Sequence, residues 1–423
     1  MSESEGWYKR RRYLHFDLPI SEKAATVIAG NPEIVRRHAF YPFIRFAVKS
    51  HKIKWDKTVK KLVVTPKERP VSYAAHVDSH IYAYYASILS ERYETYLKSV
   101  PYQPSVLAFR KLGKSNIEFA KEAFDAIKAM GGADVLAADF SDFFGNLDHQ
   151  ILKRTWSTIL DVKALPEDHY NVFKSLTKFT WVDKRNLYKV LGISPYNPRS
   201  SGARICEPDT FRSIVRGLGL IERNKSAIGI PQGSPISALL SNIYMIGFDQ
   251  AMWTAITASG GKYFRYCDDM LIIAPEGKGK DYMKLAEELA ALHRLPLHPK
   301  KTEERFFTSV SGKLTANKPL QYLGFVFDGQ QVSLRSASLA RYSERMRRGV
   351  RLARVTMGVR NELRVGRGEV PTPLYKGKLY KRYSYLGRRN FISYAHRAAR
   401  ILDGKTIKRQ VKPLWKRLRQ KMK

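Results

Sequence analysis

The sequence predicts an α+β fold whose C-terminal part is helical and strongly basic. Short apolar runs of strand length, Ala133–Phe140 (ADVLAADF) and Met270–Ala274, are separated by stretches with helical periodicity. Acidic residues stand at the ends of these runs, Asp139 closing one and Asp268-Asp269 opening the other. From Ser336 onward the pattern reads as helix, interrupted at Gly366–Pro373.

Along the chain, residues 7–56 mix aromatic and basic side chains with weak periodicity and predict only short helices. Residues 59–72 (VKKLVVTPKERPVS) read as a strand that breaks at Pro66 and Pro70. Ala74–Ser99 is helical and rich in Tyr and Ala, and Ser105–Ser115 (SVLAFRKLGKS) is β-like with a turn at Gly113. Asn116–Met130 is a helix with Ser115 as N-cap and Gly131 at its end. Ala133–Phe140 is a buried strand, followed by helices over roughly 148–160 and 165–178. Residues 181–227 are basic and irregular. Pro235 then opens one long apolar helix that Gly260-Gly261 closes. Tyr263–Ala274 (YFRYCDDMLIIA) reads as strand, tight turn, strand, with the two aspartates at the bend. Asp281–Leu292 is a helix, LPLHPKKTEERFF a strand-like return, and Leu320–Phe327 a further strand.

With 423 residues, 44% of them hydrophobic, the chain can bury the cores of two or three lobes. Its net charge of +37 calls for a polyanion, nucleic acid before an anionic membrane surface. No run of about 18 apolar residues exists, so nothing is expected to span a bilayer, and the acidic constellation described below has no use at a membrane surface, so no membrane partner is expected. Residues 334–423 hold 27 Lys and Arg against 4 Asp and Glu, a net +23. Tyr375, Tyr380, Tyr383, Tyr385, Phe391, Tyr394 and Trp415 are interleaved with these charges, as on a surface that tracks phosphates and stacks bases. The only cysteines, Cys206 and Cys267, lie far from any metal-ligand spacing. The start, MSESEGWYKRRRYLHF, has no apolar signal segment, and a cytoplasmic location is expected.

An Asp-Asp turn alone is equally well a solvated hairpin bend. Two adjacent acids become a site when a cation neutralises them and a third acid joins from elsewhere. Asp139, at the end of a buried strand, is that third acid. Together the three can seat two Mg²⁺ ions roughly 3.5–4 Å apart, which clamp the attacking and leaving oxygens of a phosphoryl transfer. Asp139 and Asp268 are the expected main ligands, with the Phe140 carbonyl as a backbone ligand and Asp269 as the less direct carboxylate. Between these acids lies IGIPQGSPISALLSNIY, where Gly229 and Gly233 let the backbone approach a ligand closely around Gln232.

Asp139, PQGSP, YCDD, LPLHPKKTE and QYLGF, in that order, resemble the motif series of reverse transcriptases over about 60–345. The resemblance implies a right-hand polymerase: an N-terminal segment and fingers over 1–132, a palm with fingers insertions over 133–333, and a basic helical thumb and RNA-binding lobe over 334–423. It implies dNTP contacts from Gln232, from Lys301 near the triphosphate, and from Arg110 in AFRKLGKS, with Arg69 a weaker candidate. Tyr322, Leu323 and Gly324 would grip the primer. Phe144, five residues after Asp139, stands where the family carries its sugar gate, and a bulky ring there leaves no room for a 2′-hydroxyl. Without the resemblance, Phe144 reads as a core aromatic, Lys301 as a solvated charge, and Arg69 and Arg110 as surface arginines.

No Cys/His nuclease cluster, RNase H-like acidic set or thumb Val-Thr-Gly follows. The compact chain with its tail RRNFISYAHRAARIL looks like the stand-alone, defence-associated bacterial reverse transcriptases of the unknown groups. That implies cDNA synthesis on a structured non-coding RNA, from a DNA or RNA primer end, in protection against phage. An intron-derived maturase, a template-independent or protein-primed polymerase, and a catalytically dead nucleic-acid scaffold remain as alternatives. Oligomeric state is not legible.

Overall fold

The computed structural model describes residues 6–56, 59, 61–196, 198, 203–299 and 302–422. The N-terminal segment leads into α1 (Glu22–Ala29) and α2 (Pro32–Arg37). It is pinned by Asp17, whose carboxylate accepts the backbone N–H groups of His76 and Val77 at 2.8 Å. These are free donors at the start of α3 (His76–Lys98), so a distant acid does the work of an N-cap. Helices α1 and α2 are the short ones expected over 7–56, but from Phe43 onward, in place of further helix and a broken strand, β1 (Phe43–Asp56) and β2 (Lys61–Tyr73) form one long antiparallel hairpin. Pro66 and Pro70 do not break β2 because it is the edge of its sheet, where a missing N–H costs no ladder bond.

The segment predicted as β-like over 105–115 is not a strand. It makes an isolated bridge from Val106 to Arg265, and Phe109 adopts a left-handed φ of 60°. Next comes α4 (Asn116–Met130), with its expected bounds. Ser115 and Glu118 form a reciprocal capping box at its start, and Gly131 ends it at φ 75°. Then follow β3 (Ala133–Asp139), α5 (His149–Leu160) and α6 (Glu167–Thr177), close to expectation. The stretch that read as irregular holds β4 (Thr180–Asp183), α7 (Lys184–Val190), α8 (Pro208–Thr210) running into a π-helical turn, and β5 (Glu222–Arg223).

The predicted long apolar helix is two, α9 (Ser237–Tyr244) and α10 (Ile246–Ala258), broken at Met245. The acidic hairpin is β6 (Lys262–Tyr266) and β7 (Asp269–Ala274), followed by α11 (Gly279–Leu292), β8 (Glu303–Val310) and β9 (Lys313–Ala316). Leu320–Phe327 is a hairpin rather than one strand: β10 (Leu320–Tyr322) turns through Leu323 and Gly324, at φ 45° and 93°, into β11 (Phe325–Phe327). Two consecutive residues at positive φ make the tight turn whose twist suits a two-residue hairpin. The chain ends with β12 (Val332–Leu334), α12 (Ser336–Val365), α13 (Gly377–Tyr383), α14 (Phe391–Ile401) and α15 (Lys405–Lys421).

The central sheet runs β6-β7-β3-β8-β9, with every neighbouring pair antiparallel. Both of its faces are covered, which is why its strands read as continuous apolar runs. Leu136, Ala138, Met270 and Ile272 face a core shared with α3, α5, α9 and α10. Val135, Leu271, Ile273 and Phe307 face a second core built with α4, β10–β12 and the four C-terminal helices. The C-terminal lobe is therefore fused to the sheet through apolar packing.

That packing also corrects the reading of the tail as one nucleic-acid-facing aromatic surface. Tyr383 is buried, and its carbonyl accepts the Tyr342 hydroxyl at 2.6 Å. Phe391 stacks on Tyr342 and Tyr394 on Phe325. Among the described residues no helix is long and apolar enough to cross a membrane.

Candidate active site

The site begins with strand register. Asp139 lies directly opposite Asp269, while the N–H of Phe140 donates to the Asp268 carbonyl at 3.2 Å. Asp139 and Asp269 are thus a non-hydrogen-bonded pair, the closer kind, with side chains on one face. By alternation that face is the one carrying Leu271, Ile273 and Val135. The carboxylates stand where the apolar strip runs out. The turn between β6 and β7 has only two residues, Cys267 and Asp268, and Cys267 takes φ 60° without being glycine. A strained residue at the bend needs support from its surroundings.

That support comes from residues the sequence analysis did not single out. Arg265 is fully buried and grips Asp249 of α10 bidentately, at 2.7 and 2.6 Å. Its third nitrogen donates to the Cys267 carbonyl at 3.0 Å and to the Asn242 side chain at 3.1 Å. The Tyr263 hydroxyl donates to Asp249, and the Asn242 amide to the Ala108 carbonyl. Burial alone would push the guanidinium pKa down, but Asp249 more than offsets it and holds the charge in place. The strained turn is therefore tethered to a satisfied buried ion pair. An arginine and an aspartate inside otherwise apolar segments were the sequence signal for it.

Beyond Asp139 the chain turns through Asp142 (φ 39°) into a short 3₁₀ turn, Phe143–Gly145. The 229–233 loop docks on that turn: Ile230 N–H donates to the Phe144 carbonyl at 2.9 Å and Gly229 N–H to the Leu147 carbonyl at 2.8 Å. A Cβ on Gly229 would lie 2.8 Å from the Gly145 oxygen, so glycine is required there. On its other side the loop meets β2, where Ser72 N–H donates to the Gln232 carbonyl at 2.8 Å. Phe144 is half-buried with its ring edge against Phe143, Gln232 is half-buried, and Arg69 is exposed on β2 three residues before that contact. The structure thus gathers Asp139, Phe140, Phe144, Gln232, Asp268 and Asp269 on adjoining segments, with Arg69 nearby.

Arg110 does not join them. Its guanidinium is buried, paired with Glu94 through two nitrogens at 2.9 and 2.8 Å, and donates to the Gln103 and Val106 carbonyls. Its donors hold the 103–110 bend, which corrects the expectation of a triphosphate contact. Lys301 lies outside the described residues. Tyr322 is buried, and the nearby Asp269 carboxylate adds to burial in raising its pKa. The Leu323 carbonyl accepts the Asn116 side chain, and the Gly324 carbonyl accepts Arg335 N–H. The 322–324 turn is therefore bolted between α4 and α12, close to the acidic hairpin.

The donors available to a cation are all oxygen, which suits a hard divalent ion such as Mg²⁺. Among the described residues no three His, Cys, Asp or Glu side chains close on one point. Asp139 and Asp269, directly opposite each other, would supply only part of a shell for such an ion, with phosphate and water oxygens completing it. The buried Tyr322 hydroxyl, without a partner among the described residues, is a further oxygen near this shell.

Asp269 is exposed by surface area, yet its carboxyl is crowded on its inner side, as in an open-mouthed recess. Burial first, then the Asp268 charge, push its pKa up to about 6, against the pull of Arg335. A carboxyl raised on folding binds its proton more readily in the fold than in the unfolded chain. The metal-free protein should therefore lose stability from this group as pH rises from about 4 through 6, and a divalent cation should oppose that loss. Thermal unfolding at about pH 5 and about pH 7.5, with Mg²⁺ or with EDTA, checks this. We expect the larger Mg²⁺-dependent rise in Tm at the higher pH. An equal rise at both would remove Asp269 from the cation site.

An antiparallel sheet carrying an acidic hairpin, flanked by a hairpin-bearing lobe and a basic helical lobe, is the right-hand fold of nucleic-acid polymerases. The family model for reverse transcriptase (RNA-dependent DNA polymerase) matches residues 60–327, and the chain belongs to that family. No curated protein matches the sequence. Among solved structures, the chain is similar to apo telomerase from Candida tropicalis truncated from its C-terminal domain, with 11% identity and a TM-score of 0.42, covering 75% of this chain and 61% of that one. Telomerase from Candida albicans, solved with a fragment of telomeric RNA, gives 10%, 0.42, 94% and 58% in the same order. The RNA-dependent RNA polymerase of a human picobirnavirus gives 13%, 0.37, 68% and 43%. The chain spans about three fifths or less of the length of these proteins, and the family assignment does not rest on them.

Proposed function

We propose that this chain is an RNA-directed DNA polymerase, extending a DNA or RNA primer end with dNTPs. The observation that carries the proposal is the register that pairs Asp139 with Asp269 beside the turn of Asp268, tethered at the Cys267 carbonyl, within a chain of the reverse transcriptase family. In this reading Asp139, Asp268 and the Phe140 carbonyl are the main ligands of two Mg²⁺ ions, and Asp269 is the less direct one. Bound there, the ions would polarise the phosphoryl oxygens and neutralise developing charge. The chain's own part is positioning: Gln232 supports the templating pair, Phe144 meets the sugar, and the 322–324 turn steadies the primer. The partition into fingers (1–132), palm (133–333) and thumb (334–423) belongs to the same proposal, with 334–423 as the RNA-retaining lobe.

The finer reading is copying of a structured non-coding RNA in the bacterial cytoplasm, as a defence against phage. The RRNFISYAHRAARIL tail and the net +23 of residues 334–423 support it. Primer extension by the purified chain tests the activity, comparing RNA with DNA templates and Mg²⁺ with EDTA. Extension on neither template would overturn it. Sequencing the RNA and DNA that co-purify from cells tests the finer reading, and a heterogeneous RNA pool with no cDNA would sink it.

The sugar gate gives a separate expectation. Phe144→Ala should raise the use of rNTPs relative to dNTPs by about 10- to 100-fold, since it opens room for one hydroxyl. Single-nucleotide incorporation with each sugar measures the ratio, and an unchanged ratio would return Phe144 to the core.

A further inference from the structure

With Tyr383, Phe391 and Tyr394 packed into the core, aromatic rings and exposed cations still meet at one cavity of the C-terminal lobe. It is a cavity of about 380 Å³ between α14, α15 and the turn after α13. Ile392 and Val411 form its buried floor. Trp415 forms one wall, with Tyr385 edge-on to it at 5.1 Å and Tyr380 against it at 5.4 Å. Tyr385 is 57% exposed, so its side of the cavity is accessible to a ligand. Lys408, Val411, Lys412 and Trp415 follow the i, i+3, i+4, i+7 spacing and share one face of α15. Both lysines are exposed, and among the described residues no Asp or Glu lines the cavity.

The walls are held before any ligand arrives. Asn390 donates its side-chain amide to the carbonyls of Lys381 and Ser384. Ser384 Oγ donates to the Tyr380 carbonyl and accepts the Leu386 N–H. The turn carrying Tyr385 is therefore stapled on both sides of that residue. An apolar slot with an accessible aromatic side and two cations one helical turn apart at its rim fits a planar base with an adjoining phosphate.

We propose that this cavity holds an unpaired nucleotide of a single-stranded RNA or DNA segment, its base against Tyr385 and Trp415 and its phosphate on Lys408 and Lys412. Duplex offers only a backbone to such a slot, because its bases are stacked away. The site would let the lobe retain a single-stranded stretch of its nucleic acid apart from the sheet where chemistry occurs. It rests on the nucleic-acid-binding side of the proposed function but not on polymerisation.

The test is equilibrium binding by the full chain, without dNTPs or divalent metal, of a labelled short single-stranded RNA and of a duplex RNA. Loss of one stacked base predicts about tenfold weaker single-strand binding for Tyr385→Ala, with duplex affinity unchanged within about twofold. Lys408→Gln with Lys412→Gln should lower the slope of log affinity against log salt for the single strand by about 0.7, the share of one phosphate. Trp415 packs partly into the core, so these surface variants carry the test. Unchanged single-strand binding by Tyr385→Ala would overturn the proposal, as would an equal loss on duplex. Competition by a free nucleoside monophosphate at oligonucleotide-like concentrations would overturn the strand assignment. Tyr385→Ala should keep primer extension on a short primer–template, so failure here and failure of the polymerase reading are told apart.

Discussion

Replacing Asp268 and Asp269 together with asparagine is expected to lower primer extension by at least about a thousandfold. A two-metal clamp is worth several kcal/mol of transition-state stabilisation, and each 1.4 kcal/mol is tenfold in rate. Asparagine keeps the shape and removes the charge, so the fold should survive. Removing a carboxylate that burial first, and then the Asp268 charge, disfavour should leave the metal-free variant at least as stable as the parent, with its Mg²⁺-dependent rise in Tm lost. RNA retention, carried by the basic lobe, should persist. Extension rates, Tm with and without Mg²⁺, and RNA binding together check this. Extension within tenfold of the parent would mean that the hairpin is not the catalytic centre. A scaffold without polymerase activity would lose nothing in function through this substitution.

Breaking the ion pair beneath the hairpin is expected to have the largest effect on stability. Arg265→Met strands Asp249 in the core without its partner, at a cost of about 3–5 kcal/mol. Combining it with Asp249→Leu removes the orphaned charge, and such apolar replacements of a buried pair are often neutral. Stability should then largely return. Activity should not, because the Cys267 carbonyl and its strained turn would still lack their tether. Denaturant unfolding and primer extension on the single and double variants separate the outcomes. Recovery of both stability and extension in the double variant would show that the pair only packs the core. Residual extension by a stable double variant, with the metal requirement shifted to higher Mg²⁺, would mark a hairpin that still forms but wanders.

Much of this molecule is legible along the chain. Local capping chemistry set α4 between Ser115 and Gly131, and alternation with an acidic bend set the β6–β7 hairpin. The three aspartates and the Gly229–Gly233 loop could be picked out as candidates because chemistry at a point needs particular residue types at short spacing. What misled were signals whose meaning depends on distant neighbours. Pro66 and Pro70 break a central strand but not an edge one, and only the sheet order says which β2 is. Arg110 has the composition of a phosphate ligand, yet Glu94 sixteen residues earlier claims it.

The sequence by itself determined the residue types of the proposed site, the order of its motifs and the charge of the lobe that follows. These rest on covalent spacing and local conformational preference, which a chain carries before it folds. The tertiary structure alone decided that Asp139 faces Asp269 rather than Asp268. It also decided that Arg265 and Asp249 hold the bend, and that most C-terminal aromatics serve the core rather than a ligand. Those outcomes depend on register and on which partner desolvates a group, and both are properties of segments brought together from far apart.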